Sequence, residues 1–189
     1  MNTARAIRDK LDHARQLLDT GEPTLPELAA ATGLSASHLQ RQFNTRFGLS
    51  PAQYLAQRKL GTLRSALREG SDVSSALYDA GYGSPSRVYE SGAAKLGMTP
   101  ARYRAGGDGE QIRWSIADTA LGQALVATTE RGVCMIELGE DADALEAKLR
   151  DEFPKAALER VDVGRGEFLA PPVRAVAHAP PGNDGCGPE

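Results

Sequence analysis

Through the first hundred residues the apolar positions recur at helical spacing in short segments, each closed by glycine or proline. Between residues 4 and 20, Ile7, Leu11, Ala14 and Leu18 share one helical face, and Gly21 with Pro23 ends the segment. Thr24-Leu25-Pro26-Glu27 has the form of a capping box with proline in the first turn, and Leu25, Leu28 and Ala29 mark an inward face up to Gly33. Ser35 is placed to cap a third helix, in which Leu39, Phe43 and Phe47 recur every four residues. Ser50-Pro51 opens a longer helix to about Glu69, with Tyr54, Leu55, Leu63, Ala66 and Leu67 among its expected buried residues. Gly61 within it costs up to about 1 kcal/mol relative to Ala, which points to a close-packing position.

The pattern then repeats. Residues 72 to 80 form a short helix, Gly81 a turn, residues 84 to 96 another helix, and Thr99-Pro100 caps a last turn to Arg104. In register, Gly33 matches Gly81, Gly48-Leu49-Ser50-Pro51-Ala52 matches Gly97-Met98-Thr99-Pro100-Ala101, and Tyr54 matches Tyr103. One residue is inserted between the paired glycines. Two helix-turn-helix copies joined by one long helix are too few for a solenoid.

After Arg104 the period changes. "RAGGDGEQ" has the composition of a flexible linker, "IRWSIA" of a strand, and "ALVATTERGVCMIEL" of a hairpin turning around Glu130-Arg131-Gly132. Asp143 is positioned to cap a helix carrying Leu145, Leu149 and Phe153, stopped by Pro154. From about Val163 the chain is rich in Pro, Gly and Ala without periodicity, which predicts disorder. The expected fold is mainly α: a double helix-turn-helix domain at 1–105, a small α+β domain with an antiparallel sheet at 110–162, and a disordered tail at 163–189.

Charge sharpens this division. The net charge of -3 over 189 residues conceals 14 Lys/Arg against 10 Asp/Glu in residues 1–109, and 8 against 15 beyond. Residues 28 to 68 hold six basic side chains and no acidic one, the local field a polyanion would meet. In a DNA-reading helix-turn-helix, the second helix enters the major groove by its N-terminal half. With Leu39, Phe43 and Phe47 turned inward, Ser37, Gln40, Arg41 and Asn44 face outward. Arg forks onto guanine, Gln and Asn onto adenine, and Ser accepts or donates. Arg46, Arg58 and Lys59 suit phosphates, which fix register without reading sequence. A joining helix of roughly 19 residues spans about 28 Å, against about 34 Å between successive major-groove faces, so one chain is expected to bridge adjacent grooves as a monomer.

"LSASHLQRQF" with "LSPAQYL" resembles the DNA-binding domain of the AraC/XylS family of transcription regulators. "DAGYGSPSRVYE", "LGMTPARYRAGG" and "ALVATTERGVCMIELGEDADALEAKLRDEFPKA" are similar, more narrowly, to Ada-like regulators, in which such a domain is fused to an O6-alkylguanine-DNA alkyltransferase. The resemblance covers about residues 1–162 and implies that the second domain is like the ribonuclease-H-like part of alkyltransferases. It places Ser37, Gln40 and Arg41 on base-facing positions of the first reading helix, and Pro85, Ser86 and Glu90 on those of the second, with Arg87 beside them and Ser35 and Ser84 toward phosphates. Glu90 and Gly92 depart from the AraC pattern, where an Arg and a large apolar residue are usual, so the first unit is expected to supply most of the affinity. The implied partners are double-stranded DNA and RNA polymerase.

Ada-like proteins accept alkyl groups on cysteines in a four-cysteine zinc domain and in a Pro-Cys-His-Arg sequence, and neither pattern occurs here. The two cysteines are Cys134, in an apolar strand, and Cys186, without a basic neighbour, so neither thiol has an activating setting. His13, His38 and His178 are scattered without ligand spacing, and no metal or cofactor is expected. The charged N-terminus and the absence of a long apolar run predict a cytoplasmic protein without a membrane segment. The reading is a regulator rather than an enzyme. Its rival is a methylated-DNA-protein-cysteine methyltransferase of DNA repair, inactive, truncated or completed by another chain.

Overall fold

A computed structural model describes residues 2–82 and 96–161. The chain divides into two compact units, Met1–Val88 and Tyr89–Glu189. The described residues form seven helices and four strands.

In the first unit the helices are α1 (Asn2–Thr20), α2 (Leu25–Thr32), α3 (Ala36–Phe47), α4 (Pro51–Arg68) and α5 (Val73–Asp79). The starts of α2, α3 and α4 are fixed by the side chains expected from the sequence. Thr24 and Glu27 make the reciprocal capping box, the Glu27 carboxylate accepting from the Thr24 N–H at 2.7 Å. That backbone bond, and secondarily the Thr24 hydroxyl, holds the Glu27 carboxyl below its ordinary pKa. Ser35 caps α3, Ser50 and Gln53 box α4, and the Asp72 carboxylate accepts from the N–H groups of Ser74 and Ser75 ahead of α5. Leu11, Ala14 and Leu18 of α1 pack with Leu28, Leu39 and Phe43 into one core. Phe43 sits at its centre, tilted against Phe47 at 4.5 Å and edge-on to Tyr54 at 5.8 Å.

The repeat extends to the helix preceding each turn. Gly33 and Gly81 both adopt left-handed backbone, with φ of 63° and 76°. In each case a lysine one helix upstream donates to the turn's carbonyl: Lys10 to Gly33 at 3.4 Å and Lys59 to Gly81 at 2.8 Å. The buried residues after those lysines keep the same spacing, Leu11, Ala14 and Leu18 in α1 and Leu60, Leu63 and Leu67 in α4. The joining helix α4 therefore does for the second turn what α1 does for the first.

The described part of the second unit opens with Leu96 and Met98, both fully buried, then α6 (Pro100–Arg104), capped by Thr99. Strands β1 (Gln111–Thr119), β2 (Gly122–Thr129) and β3 (Gly132–Gly139) form two antiparallel hairpins, α7 (Ala142–Glu152) follows, and β4 (Ala157–Arg160) joins the edge. The sheet order is β3-β2-β1-β4 with β4 parallel to β1, so the sheet is mixed and not wholly antiparallel as the sequence suggested. Leu145, Leu149 and Phe153 bury against it alongside Ile112, Trp114 and Leu125. Asp141 caps α7 by accepting from the Asp143 N–H, in place of the expected Asp143.

Two other expectations change. The segment predicted as a flexible linker is a folded set of turns: the Lys155 N–H donates to the Gly106 carbonyl, Arg102 pairs with the buried Glu110 at 2.8 Å, and Gly107 lies against Phe153 and Ala156. Gly61 is exposed, and a Cβ there would meet nothing within 4 Å, so it is not a close-packing point. The predicted tail at 163–189 lies outside the described residues.

Because Gly61 has helical backbone and open space, Gly61→Ala is expected to stabilise the first unit by about 0.5–1 kcal/mol. Thermal unfolding checks this, and a lowered midpoint would show that the position does something other than cost helix stability.

Candidate nucleic-acid interface

The axis of α3 is set by what precedes and follows it. Gly33 turns the chain out of α2, Ser35 accepts from the His38 N–H to start α3, and Gly48 ends it in left-handed backbone. Leu39 and Phe43 are fully buried and Phe47 half-buried, so the opposite face is fixed toward solvent. Ser37, Gln40, Arg41 and Asn44 are all exposed there and line one open depression together with Ser50. None of these four side chains has a hydrogen-bond or ionic partner among the described residues. Ser35, at the head of the same helix, is exposed.

Ser50 was visible in the sequence only as a cap. It enters the depression because the tight turn at Gly48 brings the start of α4 beside the outward face of α3.

The basic residues assigned to phosphates have partners inside the fold. Arg46 pairs with Asp12 of α1 at 2.7 Å and lies over the Phe47 ring. Arg58 donates to the Leu18 carbonyl at 2.5 Å. Lys59 pairs with Glu22 at 2.6 Å as well as with the Gly81 carbonyl, and only 17% of its side chain is exposed. Tyr54 adds a bond of the same kind to Asp19 at 2.7 Å, and this bond raises its phenol pKa above the ordinary value. Acidic side chains of α1 and the turn after it thus pair with Arg46 of α3 and Lys59 of α4. Asp12 and Asp19 are seven residues apart, two turns along one face of α1, a spacing that aligns them without marking their partners.

The residues predicted for the second reading helix, Ser84, Pro85, Ser86, Arg87 and Glu90, lie outside the described residues. Among the described residues no group of three or more His, Cys, Asp or Glu side chains is arranged to hold a metal ion, and no helix is long and apolar enough to cross a membrane. Cys134 is buried in β3, and Cys186 lies outside the described residues.

A capped helix, a left-handed glycine turn and a second helix with an uncovered polar face define a helix-turn-helix module. Residues 28–106 match the family model of a helix-turn-helix domain. The chain is 38% identical over 165 residues to "Regulatory protein ada" of Salmonella typhimurium, covering 85% of this chain and 47% of that protein. It is 37% identical over 149 residues to the "Bifunctional transcriptional activator/DNA repair enzyme Ada" of Escherichia coli, covering 78% of this chain and 42% of that protein. A protein of Streptomyces antibioticus named as an AraC-like transcription regulator is 37% identical over 82 residues, covering 43% of this chain and 27% of its own length. No solved structure matches significantly. Residues 28–106 carry a helix-turn-helix domain, and the chain is similar to two Ada regulators over most of its own length, while spanning less than half the length of either.

Lys59 ties α4, the turn after α1 and the second glycine turn at one point. Lys59→Ala is expected to lower unfolding stability by about 1 kcal/mol, and more than Lys10→Ala, whose bond is longer and exposed. Chemical denaturation of both variants decides between them, and equal stabilities would remove the structural role.

Proposed function

We propose that the protein is a sequence-specific DNA-binding transcription regulator of AraC type, with the first helix-turn-helix supplying most of the affinity and base selection. The observation that carries this reading is the gathering of Ser37, Gln40, Arg41 and Asn44, unpartnered, in one open depression on α3. A helix presents such a row to base edges in the major groove, and side chains already bound to other groups would first have to break those bonds. Arg41 is the guanine reader, Gln40 and Asn44 the adenine readers, and Ser37 the adaptable contact at the leading end. Ser35 flanks the row and serves a phosphate, and Arg46 at the far end of α3 reaches one by exchanging the Asp12 carboxylate for it. Arg58 and Lys59 keep the structural ties described above. The second reading helix, with Pro85, Ser86, Arg87 and Glu90 toward bases and Ser84 toward a phosphate, contributes more weakly, because a carboxylate near phosphates is unfavourable unless it accepts from cytosine.

The Escherichia coli relative is named as a DNA repair enzyme as well as a transcriptional activator, which favours a second reading, the methyl transfer to cysteine that the sequence resemblance implies. The chain has only two cysteines and no Pro-Cys-His-Arg sequence, and Cys134 is 1% exposed within the sheet. A direct transfer requires a thiolate beside a pocket for an extruded base. We therefore propose binding rather than catalysis as the role of residues 1–189.

Selection of bound fragments from genomic DNA identifies the site. On it, Arg41→Ala is expected to cost about 1–3 kcal/mol and to relax preference at one base, with affinity falling steeply as salt rises. Unchanged affinity and preference in Arg41→Ala would remove α3 as the reader. In a separate assay, intact-mass measurement after incubation with duplex containing O6-methylguanine is expected to show no added methyl group. A stoichiometric gain, lost in Cys134→Ser or Cys186→Ser, would return the repair reading.

A further inference from the structure

The two repeats differ at one position that the first cannot do without. Counting back from the matched glycines Gly48 and Gly97, Phe43 of the first repeat corresponds to Gly92 of the second. Phe43 is fully buried, and its ring receives the edge of Tyr54 at 5.8 Å with the planes at 83°. The residue matching Tyr54 is Tyr103, and Gly92 offers it no ring. Tyr103 is nevertheless buried. It meets Phe153 at 5.4 Å with the planes at 84°, nearly the geometry of the first pair. Phe153 follows α7 directly, and its neighbour Glu152 accepts a hydrogen bond from the Tyr103 hydroxyl.

A second difference points the same way. Gly48, at the turn after the first reading helix, is open, with nothing within 4 Å of where a Cβ would stand. The matching Gly97 has the same left-handed backbone, φ 68°, but a Cβ there would lie 2.7 Å from the backbone of Val133 and Cys134 in β3. The Gly97 carbonyl also accepts from the Thr129 hydroxyl of β2. Leu96 and Met98 on either side are fully buried. The turn that ends the second helix-turn-helix is thus seated on the sheet, whereas its counterpart faces solvent.

We infer that Phe153 takes, for Tyr103 of the second repeat, the place that Phe43 holds for Tyr54 in the first, so that the C-terminal segment of the second helix-turn-helix, residues 96–104, shares one core with the sheet and α7. The sheet and α7 then act as a scaffold for the second DNA contact, and not as a separate domain on a tether. An aromatic edge contact together with the area of a buried ring is a large part of what fixes a helix as short as α6, whose five residues cannot hold themselves. The consequence for DNA binding rests on the reading given under Proposed function. The packing relation does not.

The test uses the full chain with two substitutions in the same element. Phe153→Ala removes the ring. Leu145→Ala removes an equally buried side chain of α7 that packs at Gly139. Both are studied at a temperature where circular dichroism shows native content. Hydrogen exchange of the peptide covering residues 96–104 is expected to speed by more than about tenfold in Phe153→Ala and to stay near wild type in Leu145→Ala. On the selected duplex, Phe153→Ala is expected to lose protection at the second contact region and keep the first. Unchanged exchange in Phe153→Ala, or equal deprotection in Leu145→Ala, overturns the inference. Retention of both protected regions by Phe153→Ala overturns its DNA-binding consequence. If the wild-type chain protects no DNA at all, the functional reading fails, and the exchange comparison still judges the packing.

Discussion

What the first unit offers to a duplex depends on the left-handed turn at Gly33. A residue with a Cβ pays roughly 1–2 kcal/mol to adopt that backbone, and glycine pays none of it. The turn directs the chain from α2 into α3 at an angle that buries Leu39 and Phe43 and leaves the row from Ser37 to Asn44 uncovered. Lys10 of α1 holds the turn's carbonyl, so the helix before the motif belongs to it mechanically. The same device recurs at Gly81 with Lys59 at a shorter distance, and there Glu22 also pairs with the ammonium. A substitution at either glycine would therefore be felt as a change in helix direction before any loss of contact area.

Charge in the first unit is arranged more selectively than its total implies. The run from residue 28 to 68 is free of acids in sequence, but α1 folds back over it with Asp12 and Asp19, and the following turn brings Glu22. Arg46, Tyr54 and Lys59 are drawn into those bonds. Arg41 is left with its guanidinium unpaired among the described residues, in the middle of the depression. A free charge beside neutral readers favours one register on DNA, whereas a uniform basic face would slide.

Local signals carried much of this into the sequence. Caps at Thr24, Ser35, Ser50 and Thr99 were readable because each depends on residues within three positions. The outward row on α3 followed from the spacing of its apolar residues. The partners of Arg46, Arg58 and Lys59 were not readable, since they lie 34 to 40 residues away and nothing in the spacing marks them. β4 was missed because an edge strand of four mostly exposed residues shows no alternation. The turns at Gly106 and Gly107 looked like a linker by composition, and only their packing against Pro154, Phe153 and Ala156 orders them. Gly61 was misread for the opposite reason: a glycine in a helix suggests a close neighbour, and here there is none.

In the proposed function one chain presents two helix-turn-helix units to one side of a duplex, joined by the 18 residues of α4. That helix is about 27 Å long, close to the rise of one helical turn of DNA at about 34 Å. The most direct measurement is hydroxyl-radical protection of the selected site, with the mass of the complex determined by sedimentation under the same conditions. One chain per duplex, with two protected regions about one helical turn apart on one face, is the result the account predicts. A single protected region, or protection that appears only when two chains are bound, would contradict it.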